Sequence, residues 1–256
     1  MKKFIISKTL FSLILSLFIQ GTIASQSKNN TSDTISIYLS FDDGPLEVSK
    51  HLLSFLSIDS IPVNVFLVGS HVFASKGRKE ILQAYRNNSL VEIDNHSYCH
   101  ANKKYRKFYQ TPNKVVGDVV LNEDTLQLKY KILRLPGRNT WRLNGKKRDD
   151  LADAKIAADS LAKLGYRIIG WDVEWRFDST RNSFFSADKM VTIIKRTIQK
   201  NRTFTPNQVV ILCHDPMLDD EYARKELIAF VDQVKAIPNW SFKNIRYYPV
   251  MNFPGK

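Results

Sequence analysis

Cysteine is scarce. Two residues in 256, Cys99 and Cys213, are too few for a disulfide framework, although one bridge is open to them in an oxidising compartment. Cys213 adjoins His214 in an apparent strand, so the two side chains point to opposite faces, and an inert buried thiol is the default state of both cysteines. Internal repeats and low-complexity tracts are absent. Long hydrophobic runs are lacking too. The apolar stretch at residues 10–19 lies between Lys8 and Gln20, short of the ~20 residues a membrane span needs. With Lys2 and Lys3 ahead of it and Thr22-Ile23-Ala24 behind, residues 1–24 are expected to be a cleaved signal peptide, with an uncleaved anchor as the competing reading. Residues 25–33 are polar and read as a flexible lead-in, leaving 34–256 as one domain.

What is present in excess is positive charge: 38 Lys and Arg against 25 Asp and Glu. Without Lys2, Lys3 and Lys8 the remainder still carries +10, which suits an anionic partner. The basic residues cluster as Lys103, Lys104, Arg106 and Lys107, and as Lys146, Lys147 and Arg148. Neither run has the arginine and aromatic interleaving of a nucleic-acid surface, so an acidic glycan or an anionic cell envelope is the expected partner. Solvated surface is the plain alternative for any single lysine.

Along residues 34–256, short apolar runs alternate with helical periods. Ile35, Ile37, Leu39 and Phe41 alternate with polar residues as in a strand; 63–68, 89–94, 132–133, 166–171 and 209–213 are further strand candidates. Residues 149–164, 188–199 and 219–235 carry apolar stripes at helical spacing. This alternation predicts an α/β fold of mostly parallel strands, open or closed into a barrel. Asp42, Asp43, His96, Arg134, Asp172 and His214 then fall at strand carboxyl ends, the rim where such folds build their sites.

The residue types suit a metal-dependent hydrolase. His96 and His100, four apart, are expected on one helical turn, and with Asp43 they offer two imidazoles and a carboxylate to one divalent ion while leaving positions open. Zinc is the default; cobalt, nickel and manganese suit the same donors. His51 and His71 are assigned no role. Asp42, adjacent to Asp43, is the expected general base, held ionised by Arg134. His214 is placed as the acid for the leaving group, with either Asp172 or Glu174 beside it.

Phe41-Asp42-Asp43-Gly44-Pro45, His96-x-x-x-His100, Arg134-Leu135-Pro136-Gly137, Trp171-Asp172-Val173-Glu174-Trp175 and Leu212-x-His214 together resemble the five ordered motifs of the polysaccharide deacetylase family, the NodB-homology group of carbohydrate esterases, over residues 34–250. The resemblance implies a distorted (β/α) barrel and hydrolysis of N-acetyl or O-acetyl groups on a glycan. It implies Asp42 as base, Asp43, His96 and His100 as ligands, Arg134 as base-orienting arginine, His214 as acid and Leu212 as lining for the acetyl methyl. A backbone N–H near Gly137 would stabilise the oxyanion. The third motif continues Arg138-Asn139-Thr140-Trp141 where an aromatic commonly follows proline, and the fourth has Glu174 beside Trp175 where an aspartate is usual. Trp141, Trp171 and Trp175 are candidate sugar platforms. A non-catalytic carbohydrate-binding protein on the same fold and a hydrolase of another amide or ester are the competing readings. An exported protein, periplasmic or secreted, is expected, with an acetylated glycan as partner and no nucleic acid.

Overall fold

Strand β1 (Ile35–Gly44) lies at the centre of the molecule and is buried along nearly its whole length. The structure, a computed structural model, describes residues 34–249 and residue 251; the expected signal peptide and lead-in lie outside them. From β1 the chain continues through α1 (Lys50–Asp59), β2 (Val63–Leu67), α2 (Gly69–Val72), α3 (Lys76–Asn87), β3 (Val91–Asn95), α4 (Tyr105–Tyr109), α5 (Pro112–Leu126) and β4 (Ile132–Leu133). A hairpin, β5 (Trp141–Leu143) and β6 (Lys146–Arg148), precedes α6 (Lys155–Lys163), β7 (Arg167–Ile168) and β8 (Val173–Glu174). A second hairpin, β9 (Phe177–Asp178) and β10 (Ser183–Phe184), leads to α7 (Ala187–Gln199), β11 (Gln208–His214), α8 (Glu221–Ala236) and β12 (Trp240–Phe242).

The main sheet has the order β6-β5-β7-β4-β3-β2-β1-β11-β8, with β12 also pairing β1. Every pairing is parallel except those of β5. The expected distorted barrel is thus a curled, mostly parallel sheet whose path runs from β6 to β8. Among the described residues no helix is long and apolar enough to cross a membrane.

The alternation in β1 does not separate core from solvent, because both faces are covered. Ile35, Ile37, Leu39 and Phe41 pack with residues of α1, α3, α7 and α8 such as Leu52, Tyr85, Ile194 and Phe230. The opposite face carries Ser36, Tyr38, Ser40 and Asp42, all buried. There Tyr38 packs with Phe66, Trp141, Val210 and Tyr248 inside the curl. A polar residue on that face must find a partner, because an unpaired buried polar group is costly. Ser40 does so by donating to the Ile211 carbonyl at 2.7 Å and accepting from Arg134.

The expected helix at 149–164 is shorter, beginning as a 3-10 turn at Ala152–Ala154. Upstream of it, Asp149 is held by Arg142 at 2.8 Å and follows β6 directly. The expected strand at 166–171 is only Arg167–Ile168. The helices at 188–199 and 219–235 match α7 and α8, whose N-caps Ser186 and Asp220 accept from Lys189 N and Ala223 N.

Candidate metal centre and active site

The site begins where β1 stops being regular. Asp42 is opposite His214 in the β1–β11 register, and the β1–β2 register shifts between Asp42 and Gly44. Asp43 sits at φ 73°, a left-handed conformation that aspartate tolerates better than most residues. The bulge re-aims one of two consecutive side chains, so both carboxylates can serve one site. Gly44 follows, and a Cβ there would meet Asp215 Oδ2 at 2.5 Å, which only glycine avoids.

Asp42 is 3 % exposed and its Oδ1 accepts from Arg134 Nη1 at 2.7 Å. Arg134 is fully buried, and its remaining donors reach Ser40 Oγ at 2.8 Å, Ile169 O at 3.3 Å and Gly170 O at 3.0 Å. Its guanidinium lies 4.1 Å from the Phe66 ring centroid. The arginine is therefore fixed on every side, and Asp42 with it.

His96 follows β3 and is also buried. Its Nδ1 lies 2.8 Å from the Arg134 carbonyl, so Nδ1–H is the donor and the Nε2 lone pair is left for a cation. That Nε2 lies 3.4 Å from Asp43 Oδ1 and 3.6 Å from Asp42 Oδ2. His100 Nε2 is 2.9 Å from Asp43 Oδ1, and the two imidazole centroids are 5.0 Å apart. The histidines do not share a helical turn, contrary to expectation. Ser97 has φ 65°, and His100, Ala101, Asn102 and Lys103 have φ between 47° and 59°. Bonds to side chains hold this turn: Ser97 N to Asn95 Oδ1, Tyr98 N to Asp118 Oδ2 and His100 N to Ser97 Oγ.

Asp43, His96 and His100 offer ligand atoms all within 4.8 Å of one another. Burial disfavours the Asp43 anion, yet the hydrogen bonds and charges of His100 and His96 hold its carboxyl far below the usual range. Burial likewise opposes a charge on His96, but the Asp42 and Asp43 carboxylates raise its pKa above the ordinary value. Two carboxylates against two imidazoles, one with its tautomer fixed by a carbonyl, form a donor set that a divalent cation fits.

Across a cavity of about 180 Å³ stand Leu212 and His214 of β11. Leu212 pairs with Glu174 of β8, and Glu174 lines the same cavity. Asp172 does not. Its carboxylate accepts from Phe204 N at 2.8 Å and Val210 N at 3.0 Å and meets Arg148 at 3.4 Å, with its side chain fully buried. Burial raises the Asp172 pKa against the pull of those donors. Of the two carboxylates left open for pairing with His214, Glu174 shares its cavity and Asp172 ties the neighbouring chain.

The tryptophans also divide. Trp141 is wholly buried, stacks on Phe204 at 4.4 Å and donates to Asn139 Oδ1. Trp175 is 2 % exposed and donates to the Phe185 carbonyl. Neither offers a ring face to a sugar, because the sheet curl and the β9–β10 hairpin cover them. Trp171 and Tyr105 line the cavity instead, together with Gly137 and Asp150. The Tyr105 ring stands edge-on to His100 at 5.6 Å and against Gly137, whose φ is 62°. His71, assigned no role from sequence, holds the Asp43 carbonyl through Nδ1 at 2.7 Å. Its position just beyond the end of β2, a rim position, was the available signal. Cys99 and Cys213 are both free thiols, and burial raises the pKa of each.

Comparisons with known proteins agree with this fold. The polysaccharide deacetylase family model matches residues 29–155. A Bacillus subtilis protein described as putative polysaccharide deacetylase YheN is 26% identical over 194 residues, covering 74% of this chain and 61% of that one. The chain therefore spans less than two thirds of that relative's length. Among solved structures, a Streptococcus mutans CE4 esterase superposes with TM-score 0.62 at 18% identity, over 82% of this chain and 86% of that one. A family 4 carbohydrate esterase from Streptomyces lividans, in complex with acetate, gives 0.57 at 19%, over 82% and 93%. The catalytic domain of a peptidoglycan N-acetylglucosamine deacetylase from Eubacterium rectale gives 0.57 at 20%, over 84% and 93%. At these identities the structural likeness speaks for the fold.

Proposed function

The chain belongs to the polysaccharide deacetylase family, and from that premise we propose that it is a metal-dependent deacetylase acting on N-acetyl or O-acetyl groups of a glycan containing N-acetylglucosamine. The observation that carries this reading is the convergence of Asp43, His96 and His100 within 4.8 Å beside the buried Asp42–Arg134 pair. Those three residues would hold the ion, with zinc the default and cobalt, nickel or manganese suited to the same donors. When bound, the ion supplies Lewis-acid polarisation of the acetyl carbonyl.

The chain's own groups do the rest. Asp42, oriented by Arg134, takes a proton from the attacking water as its oxygen adds to the carbonyl carbon. A backbone N–H near Gly137 receives the developing oxyanion, and Leu212 lines the space for the acetyl methyl. His214 gives a proton to the sugar nitrogen or oxygen as the bond from that atom to the carbonyl carbon breaks, releasing acetate. Glu174, on the paired strand, is the carboxylate that lines the same cavity as His214. The N-terminal apolar run supports export, so the substrate would be met in the periplasm or outside the cell.

The test is acetate release from a panel of acetylated glycans, with chelator and with zinc restored. Release lost with chelator and regained with zinc is the expected outcome. Saturable glycan binding with no release from any member of the panel would favour a carbohydrate-binding role instead.

A further inference from the structure

Lys103, Lys104, Arg106 and Lys107 lie just beyond His100, after Ala101 and Asn102, and flank Tyr105, which lines the cavity. All four are exposed. No carboxylate of a described residue lies within ion-pair distance of any of them. Their isolation stands out against the other cations around the site. Arg134 is paired with Asp42 at 2.7 Å, Arg138 with Asp153 at 2.6 Å, Arg142 with Asp149 at 2.8 Å and Arg148 with Asp172 at 3.4 Å.

The segment that displays the four is well tied. Asp118 accepts from Tyr98 N and Cys99 N, Asn102 N donates to Cys99 O at 2.9 Å, and Lys104 N to Ala101 O at 2.9 Å. Ala101 is buried as an anchor and Tyr109 closes the segment by donating to Pro136 O. Like charges at neighbouring positions repel, and four of them held on a fixed turn produce a positive potential that reaches about 8 Å at physiological ionic strength. Tyr105, in the middle of this run, lines the cavity, so the run lies beside it. Of the acids nearby, Asp42 and Asp43 face Arg134, His96 and His100, Asp118 accepts from Tyr98 N and Cys99 N, Asp153 pairs with Arg138, and Asp150 and Glu174 lie on segments beyond β5, so the four cations of this run keep their charge unpaired.

We propose that residues 103–107 form a subsite for anionic groups of the substrate, so that the preferred glycan carries carboxylates or phosphates next to the acetylated sugar. The proposal rests on the deacetylase reading of the cavity and refines it. The chemistry recognised is an oxyanion held by exposed ammonium and guanidinium groups, through charge more than through a fitted pocket.

The experiment compares three N-acetylated oligomers of equal length, one neutral, one bearing uronate carboxylates and one bearing phosphates, at low and high salt. The holoenzyme is compared with Lys103→Gln/Lys104→Gln/Arg106→Gln/Lys107→Gln. A charge-matched control, Lys195→Gln/Arg196→Gln/Lys200→Gln/Arg202→Gln, alters the end of α7 that leads into the start of β11, opposite the rim. At low salt we expect the acidic oligomers to exceed the neutral one in kcat/KM by about tenfold, through KM. That advantage disappears at high salt and in the rim variant, while turnover of the neutral oligomer and the control variant are unchanged. Which acidic oligomer is favoured separates carboxylate from phosphate.

An acidic preference that is absent, that survives in the rim variant or that falls equally in the control overturns the subsite. Calorimetric binding of the same oligomers separates the two readings. Salt-sensitive binding that depends on the rim set without acetate release sinks the deacetylase reading and keeps the subsite. Acetate release indifferent to substrate charge does the reverse.

Discussion

The β1–β4 side of the cavity and the β8–β11 side differ in how tightly their functional groups are held. On the first, Asp42 is gripped by Arg134, Arg134 by Ser40 and two carbonyls, His96 by the Arg134 carbonyl and Asp43 by His100 and His71. On the second, the His214 ring makes no hydrogen bond or ion pair with a described residue, and Glu174 meets only Arg176 at 2.9 Å. One side must hold its geometry against the repulsion of neighbouring carboxylates, so it is preorganised in advance. The other, on the proposed mechanism, meets the leaving group, and its free ring leaves that contact for the substrate to make.

The strongest way to sharpen that contrast is Asp42→Asn. An amide cannot take the proton, while the neighbouring ligands stay in place. Acetate release should fall by about a thousandfold or more, with metal content unchanged by atomic absorption. Turnover near the wild-type value would remove Asp42 from the role of base. His214→Asn should lose turnover by about a hundredfold with equal metal retention, and its effect should depend on the leaving group where that of Asp42→Asn does not.

The next largest effect is on stability and is confined to the tightly held side. Arg134→Met leaves the Asp42 carboxylate buried without its counter-charge, and about 3–5 kcal/mol of stability should be lost in denaturant unfolding. Glu174→Gln, on the open side, should stay within about 0.5 kcal/mol in the same measurement. Comparable losses from both would mean that the two sides are not built differently after all.

His71→Ala probes the outer edge of the held side. Removing the donor to the Asp43 carbonyl frees a proposed ligand at φ 73°, and zinc affinity by chelator competition should weaken about tenfold. His71→Asn, which keeps a donor, should recover part of it. Unchanged affinity in the alanine variant would make the His71 contact incidental.

The two sides also differed in how well the sequence announced them. That Asp42, Asp43, His96 and Arg134 come together at one rim was legible, because strand ends can be read from the apolar runs of β1, β2, β3 and β11. The turn that carries His100 was not. Nothing in His96-Ser97-Tyr98-Cys99-His100 announces a left-handed path, since its conformation is set by the distant Asp118 and by Asn95. The β5–β6 hairpin was missed because its second strand, Lys146–Arg148, is wholly basic and carries no apolar alternation. Trp141 and Trp175 were misjudged because an aromatic that covers a core and one that covers a sugar have the same local sequence; only the curl of the sheet tells them apart. Asp172 and Glu174 could not be ranked without knowing that the backbone N–H groups of Phe204 and Val210 reach the first.

Asp215, the residue after His214, provides the smallest and most specific test, because it lies between the two sides. Its side chain is buried, accepts from the Ser49 hydroxyl and carries a second oxygen with no partner among the described residues. Burial pushes its pKa up to about 7, opposed by the Ser49 hydrogen bond and reinforced by the charges of Asp43 and Asp42. A carboxyl whose pKa is higher folded than unfolded stabilises the fold fully below the unfolded value, and that contribution is lost as pH rises through the folded one. Wild-type Tm should therefore decline as pH rises through about 7. Asp215→Asn copies the shape of the neutral acid and cannot ionise, so its Tm should hold level over the same interval and exceed the wild type by a few degrees on the alkaline side. If the two proteins show parallel Tm curves from about pH 5 to about pH 8, Asp215 does not titrate there. The neutralisation that keeps two carboxylates and a third buried acid side by side would then lie elsewhere in the β1–β11 seam.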